Sequence, residues 1–251
     1  MRERRFFAPS HCWHGDCISL DTEQSRHITT VLRLKIGNSL ICFDETGRRA
    51  KAHIASIERG KIVLTIESEF FTDEKPLKKV TLAQSLIKPH NMDFIVQKSV
   101  ELGVSALIPF YSAYSVVKLD DKRQESKMNR WQKIVIEAVQ QCERNTIPHI
   151  APILSFESLL ETFREYDIIF VAHPYGTCKD IADYVDTART IMVVIGPEGG
   201  FTAEEMDAFL SIKNVVGFRF NEHILRAETA ALSSLAILEY MILRNAIGDA
   251  R

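Results

Sequence analysis

Two short segments hold residue types that could do chemistry together. Ile195-Gly196-Pro197-Glu198-Gly199-Gly200-Phe201 gathers glycines, a proline and a carboxylate. Glycines adopt backbone angles closed to other residues, let a ligand approach the main chain and leave amide donors within reach. Neither Gly-x-Gly-x-x-Gly nor the Walker pattern with its lysine occurs, and Glu198 would repel a phosphate, so the turn suits a neutral or cationic ligand. Ile224-Leu225-Arg226-Ala227-Glu228-Thr229-Ala230 sets Arg226 and Glu228 at the start of a long apolar run. A helix dipole disfavours a cation there, so Arg226 requires a compensating partner or an anionic ligand. The plainer alternatives are a glycine turn with no ligand, Glu228 as a helix cap, and Arg226 as its ion-pair partner.

Both segments need a scaffold that aims them at one place. Ile191 to Ile195 reads as a fully buried strand, and Thr202-Ala203-Glu204-Glu205 is a capping box opening a helix with Met206, Phe209 and Leu210 on its apolar side. Residues 196–201 are then a strand-to-helix turn. Val215 to Phe220 is a second strand candidate leading to the Arg226 helix. Loops at the carboxyl ends of adjacent strands are where an α/β sheet builds a ligand cleft. Upstream, the strand-like runs Val80 to Ser85, Ala106 to Phe110 and Asp167 to Ala172 alternate with helical patterns at Met92 to Leu102 and Met128 to Cys142. This predicts βαβ units in residues 80–251, around a mainly parallel sheet with helices on both faces. Tyr114 to Lys127 is polar and reads as a loop. Residues 1–70 differ: Cys17 to Leu20, Ser39 to Phe43, Ala50 to Ile57 and Lys61 to Glu67 are short β-like runs. Asp44-Glu45-Thr46-Gly47 and Glu58-Arg59-Gly60-Lys61 punctuate them, as in a small β-barrel of hairpins with one helical insert near Glu23 to Leu32. Residues 71–79, charged and holding Pro76, read as the linker.

Composition narrows the function classes. With 251 residues, 46% hydrophobic and 25% charged, the chain is ordinary globular protein, and a net charge of -2 leaves any nucleic-acid binding to local basic patches. Five irregularly spaced cysteines form no disulfide framework, and Met1 to Arg5 is followed by no apolar signal core, which together predict the cytoplasm. Ala230 to Leu243 is interrupted by Ser233, Ser234 and Glu239 and reads as a buried helix, not a membrane span. His11-Cys12-Trp13-His14-Gly15-Asp16-Cys17 fits no common zinc spacing, and no metal site is expected. Cys142 and Cys178 read as small buried hydrophobes, Trp131 as core, and His27 equally as a packed barrel residue or an RNA contact.

The two segments, with Arg5-Phe6-Phe7, His27-Ile28-Thr29-Thr30-Val31-Leu32-Arg33 and Gly37, resemble the RsmE family. Gln97 to Val104 and Glu137 to Arg144 with Pro148 continue the likeness along nearly the whole chain. That family is of the SPOUT class, methylating N3 of a uridine in small-subunit ribosomal RNA. The resemblance implies a PUA-like amino-terminal barrel, a carboxyl-terminal domain tied in a trefoil knot, a homodimer, and S-adenosylmethionine as donor. It places the donor against Ala172, His173, Pro174, Ile195, Gly196, Pro197, Glu198, Gly199, Gly200, Phe220, Ile224, Leu225, Arg226, Thr229 and Ala230. Arg226 is the catalytic candidate for stabilising a uracil imide anion, with Glu228 or a water taking the proton. Arg2, Arg4, Arg5, Arg33, Lys98 and Arg144 are the candidates for RNA phosphates. Phe220-Asn221-Glu222-His223 stands where the family usually has Leu-Gly and then an arginine, and Tyr114 where an arginine is common before Ser-Val-Val. The competing function class is a non-catalytic RNA-binding module with an inactive α/β domain; a nucleotide-dependent metabolic enzyme would lack its phosphate-binding motif.

Overall fold

The computed structural model describes residues 4–71, 76–115, 120–174, 181–219 and 222–248. The chain divides into two compact units, Met1–Lys75 with Val139–Ile147, and Pro76–Ala138 with Pro148–Arg251.

The first unit is a mostly antiparallel six-stranded sheet. Its strands are β1 (Arg5–Phe7), β2 (Trp13–His14), β3 (Cys17–Leu20), β4 (Ser39–Phe43), β5 (Arg48–Glu58) and β6 (Lys61–Phe71), in the order β1-β4-β5-β6-β3-β2. Only β1 with β4 is parallel. The β5–β6 hairpin turns at Arg59 and Gly60, φ 49° and 78°, the left-handed pair that a two-residue hairpin matching strand twist demands. The helical insert is α1 (Thr22–Arg26), continued by one wide turn, His27–Val31. Asp21 starts it through a capping box with Gln24. Alternate strand residues, among them Ile18, Leu40, Ile54 and Leu64, bury completely on one core with Ile28, each contributing roughly 1.5–3 kcal/mol. Cys42 lies in that core, and burial pushes its thiol up to about 12.

The second unit carries a six-stranded sheet whose pairings are all parallel. Its strands β7 (Lys79–Ser85), β8 (Ala106–Phe110), β9 (His149–Ile150), β10 (Ile168–Ala172), β11 (Thr190–Ile195) and β12 (Val215–Phe218) take the order β12-β10-β11-β7-β8-β9. Helices α2 (Pro89–Glu101), α3 (Asp121–Cys142), α4 (Phe156–Thr162), α5 (Ala182–Thr187), α6 (Ala203–Leu210) and α7 (Ala227–Gly248) connect or follow them. On one sheet face Ile169, Val171, Met192 and Val194 pack with Leu159, Phe163, Met206 and Phe209 of the α4 and α6 region. On the other, α7 lies on β11, and α2 and α5 pack on α7. Both faces are covered, as the alternating pattern requires. Trp131 is buried in α3, its indole donating to Asp93 Oδ1 at 3.1 Å.

One expected loop is a helix in part. Residues 121–127 form the opening of α3, because Asp120 accepts at its carboxylate from Arg123 N at 2.9 Å and at its carbonyl from Gln124 N at 2.9 Å. A charged segment shows no apolar period, so its helicity comes from that cap and from propagation into the amphipathic turns beyond. Among the described residues no helix is long and apolar enough to cross a membrane.

Candidate active site

Because β10 lies between β12 and β11, the segments leaving their carboxyl ends are neighbours, where parallel sheets form ligand crevices. They enclose a cavity of about 340 Å³, a size suited to a small-molecule ligand. Ala172, His173 and Pro174 enter from β10, Ile195 to Phe201 from β11, and Phe218, Arg219, His223, Ile224 and Leu225 from the end of β12 onward. Ala227 and Ala230 close the wall from α7.

The glycine turn is held from three sides. Gly200 N donates to Pro197 O at 2.9 Å, with Gly200 at φ +74°, a left-handed angle that suits glycine. A Cβ on Gly196 would stand 3.2 Å from the Phe201 ring. That ring stacks on Phe110 at 6.4 Å and meets Phe209 edge-on at 5.0 Å, so it anchors the turn in the core beneath α6. Thr202 and Glu205 form the expected capping box at the start of α6. From β7, the buried Gln84 donates Nε2 to Gly196 O at 3.4 Å. Its Oε1 has no hydrogen-bond partner among the described residues.

Ala172, His173, Pro174, Ile195, Gly196, Pro197, Glu198, Gly199, Gly200, Ile224, Leu225 and Ala230 therefore meet around one hollow. Phe220 lies outside the described residues. Arg226 and Thr229 are not among the residues that line the wall, to which α7 contributes Ala227 and Ala230. Arg226 is exposed at the amino end of α7, where its carbonyl accepts from Ala230 N at 2.8 Å. Glu228 is half-buried, and its Oε2 is sealed from solvent with no hydrogen-bond partner among the described residues. An ion pair with Arg226 through that atom does not form. Phe201, Phe218, Arg219, His223 and Ala227 also line the cavity; Phe201 and Ala227 stood inside the two motifs, whereas Phe218 and Arg219 become neighbours of the glycine turn only through the strand order.

The basic candidates divide between the units. In the first, Arg4 donates to Leu32 O, and Arg5 donates to Glu143 O and, at 3.0 Å, to Asn145 Oδ1. Arg33 is exposed at φ 54°, and Arg144 reaches Thr146 Oγ1 at 3.4 Å. In the second, Lys98 pairs with Glu101 at 2.8 Å. Arg2 lies outside the described residues.

Comparison with known proteins decides the family. A model of the RNA methyltransferase domain matches residues 73–239, and a model of the RNA methyltransferase PUA domain matches residues 20–67. Ribosomal RNA small subunit methyltransferase E of Bacillus subtilis (strain 168) is 35% identical over 230 residues, 88% of this chain and 89% of its own length. The chain belongs to the ribosomal RNA small subunit methyltransferase E family. A methyltransferase E of Buchnera aphidicola subsp. Acyrthosiphon pisum is 30% identical over 223 residues, covering 88% of this chain and 87% of its own. The crystal structure of methyltransferase E from Neisseria gonorrhoeae, bound to S-adenosyl methionine, superposes with TM-score 0.85 at 31% identity, covering 96% and 98% of the two chains. The α/β class and the amino-terminal PUA domain expected from the sequence both hold for this chain.

Proposed function

We propose that this chain transfers a methyl group from S-adenosylmethionine to N3 of a uridine in small-subunit ribosomal RNA, acting in the cytoplasm as a homodimer. The observation that carries the reading is the convergence of the turns after β10, β11 and β12 on a single cavity of about 340 Å³. The residues present fit the donor. The glycine backbone and Glu198 suit a sulfonium and an adenine, and the lining, which also holds Arg219 and His223, has no lysine of a Walker cradle. The trefoil-knot path belongs to the same reading, which the crowding of those turns supports.

Bound S-adenosylmethionine supplies an electrophilic methyl carbon on a sulfonium. This chain must hold the uracil nitrogen in line with that carbon, since positioning supplies much of the acceleration in a displacement. The N3–H of uracil is a weak acid. Arg226, exposed at the mouth of the α7 turn, stabilises the imide anion as the proton leaves, and Glu228 or a water accepts that proton. Arg2, Arg4, Arg5, Arg33, Lys98 and Arg144 are assigned to RNA phosphates. The homodimer draws support from Tyr240 and Leu243, 66% and 48% exposed on α7.

The test is nucleoside mass spectrometry of small-subunit ribosomal RNA after incubation with purified protein and labelled donor. The expected product is 3-methyluridine, with Arg226→Ala retaining donor affinity while turnover falls by about 100-fold. Donor binding without any transfer would return the chain to the class of non-catalytic RNA-binding modules.

A further inference from the structure

Tyr114 presents a large ring to solvent at the rim of the donor cavity. It is 55% exposed. A Cβ on Gly199 would stand 3.1 Å from Tyr114 Cβ and 3.4 Å from its Cγ, so the base of the ring rests on the bare backbone of a residue that lines the cavity. Ile224, 75% exposed, lines the same cavity. The rim therefore offers apolar surface, and at Tyr114 a flat ring, beside the exposed Glu198 and His223.

The segment carrying Tyr114 is fixed in place. Ser85 Oγ lies 2.8 Å from Ser112 Oγ and 3.0 Å from Ser115 Oγ, and Ser112 N donates to Ser115 Oγ at 2.9 Å. Ala113 N donates to Glu205 Oε1 at 2.8 Å, while Oε2 of the same buried carboxylate accepts from Thr202 N at 2.9 Å. One side chain thus locks the Tyr114 segment to the turn that shapes the cavity. A free loop could fold an aromatic ring inward; this one is held with its ring in water, and a pre-positioned ring loses little freedom when a ligand arrives.

We propose that the Tyr114 ring is a stacking platform for an unpaired base of the RNA substrate at the mouth of the donor cavity. The inference rests on the methyltransferase reading above. N3 lies on the pairing edge of uracil, so the base must leave any duplex before it can react, and an extruded base is held by stacking on aromatic faces. Stacking needs the ring face and not the phenol hydroxyl, which sets the variants.

Steady-state kinetics with small-subunit ribosomal RNA, alongside calorimetric donor binding, tests the proposal. Tyr114→Leu keeps an apolar Cβ and Cγ on Gly199 and removes the ring. It should raise KM for RNA about tenfold or more while the donor Kd moves less than about twofold. Tyr114→Phe should recover most of that loss. An unchanged KM in Tyr114→Leu, in an enzyme that still methylates, overturns the stacking role and leaves the methyltransferase reading standing. A donor Kd weakened as much as the RNA KM overturns it too, by showing that Tyr114 merely props the glycine turn. Failure of the unmodified protein to methylate any RNA would instead strike the reading beneath it.

Discussion

Glu228 holds two opposing contributions in one side chain. A carboxylate near a helix amino terminus gains about 0.3–1 kcal/mol from the dipole, whereas a buried oxygen with no donor costs about 1–3 kcal/mol, and Oε2 is such an atom. The cost exceeds the gain, so stability does not account for this residue. Glu228→Leu should raise Tm by a few degrees in thermal denaturation and lower methyl transfer by at least about 100-fold; a lower Tm would mean that Oε2 finds a donor and acts as a cap. The sequence singles out Arg226 and Glu228 as candidates by their unusual place at a helix start. Which of the neighbouring side chains face the cavity was not legible, since one residue of error in helix phase exchanges Ala230 for Thr229. Gln84 was invisible for another reason: a polar residue inside a buried strand shows its use only when the strand beside it, β11, is known.

The strands and turns that build the site were the most legible elements. Residues 191–195 and 168–172 are uninterrupted apolar runs, and the glycine turn between β11 and a capping box leaves little freedom of assignment. What local pattern could not convey were links between distant segments. The carboxylate of Glu205 closes the predicted capping box and also reaches Ala113 N at 2.8 Å, 92 residues earlier. Glu205→Ala should therefore cost about 2 kcal/mol in chemical denaturation, more than the ~1 kcal/mol of a lost cap, because two part-buried hydrogen bonds lose their acceptor. Faster amide exchange at both Ala113 and Thr202 would show the double role; a change at Thr202 alone would refute it. Asp167 plays a similar part at the entrance to β10, its Oδ2 accepting from Arg189 N and Thr190 N, each at 2.8 Å. The backbone donors of Thr190 and Arg189 hold its carboxyl below the ordinary value of 3.8. Since the folded form has the lower value, this stabilisation is complete above the unfolded pKa of about 3.9 and is lost as pH falls through the folded one. Asp167→Asn should lower Tm at pH 7, and the gap from the unmodified protein should narrow below about pH 4; a gap independent of pH would show that charge has no part in it.

With a formal net charge of -2, the chain has no overall attraction for a polyanion, and its hold on RNA must come from a few placed cations. Six were proposed, but not all are equally available. Lys98 is paired with Glu101 at 2.8 Å, and the Arg5 guanidinium is engaged with Glu143 O and Asn145, tying Val139–Ile147 to the first unit. Breaking either contact to reach a phosphate would cost much of what the new contact gains. Arg33 is exposed, Arg4 is exposed beyond its bond to Leu32 O, and Arg144 is half-buried and reaches Thr146 Oγ1 at 3.4 Å. Counting these with Arg2 leaves roughly four phosphate contacts, so log Kobs should fall against log salt with a slope of about -3 for single-stranded RNA and nearer -4 for a duplex. Arg33→Ala should reduce that slope by nearly one and weaken binding to all RNA sequences alike, whereas Lys98→Ala should leave it unchanged. A slope near -5, restored to about -4 by Lys98→Ala, would show that Lys98 abandons Glu101 on binding and that the static ion pair is the wrong guide to its use.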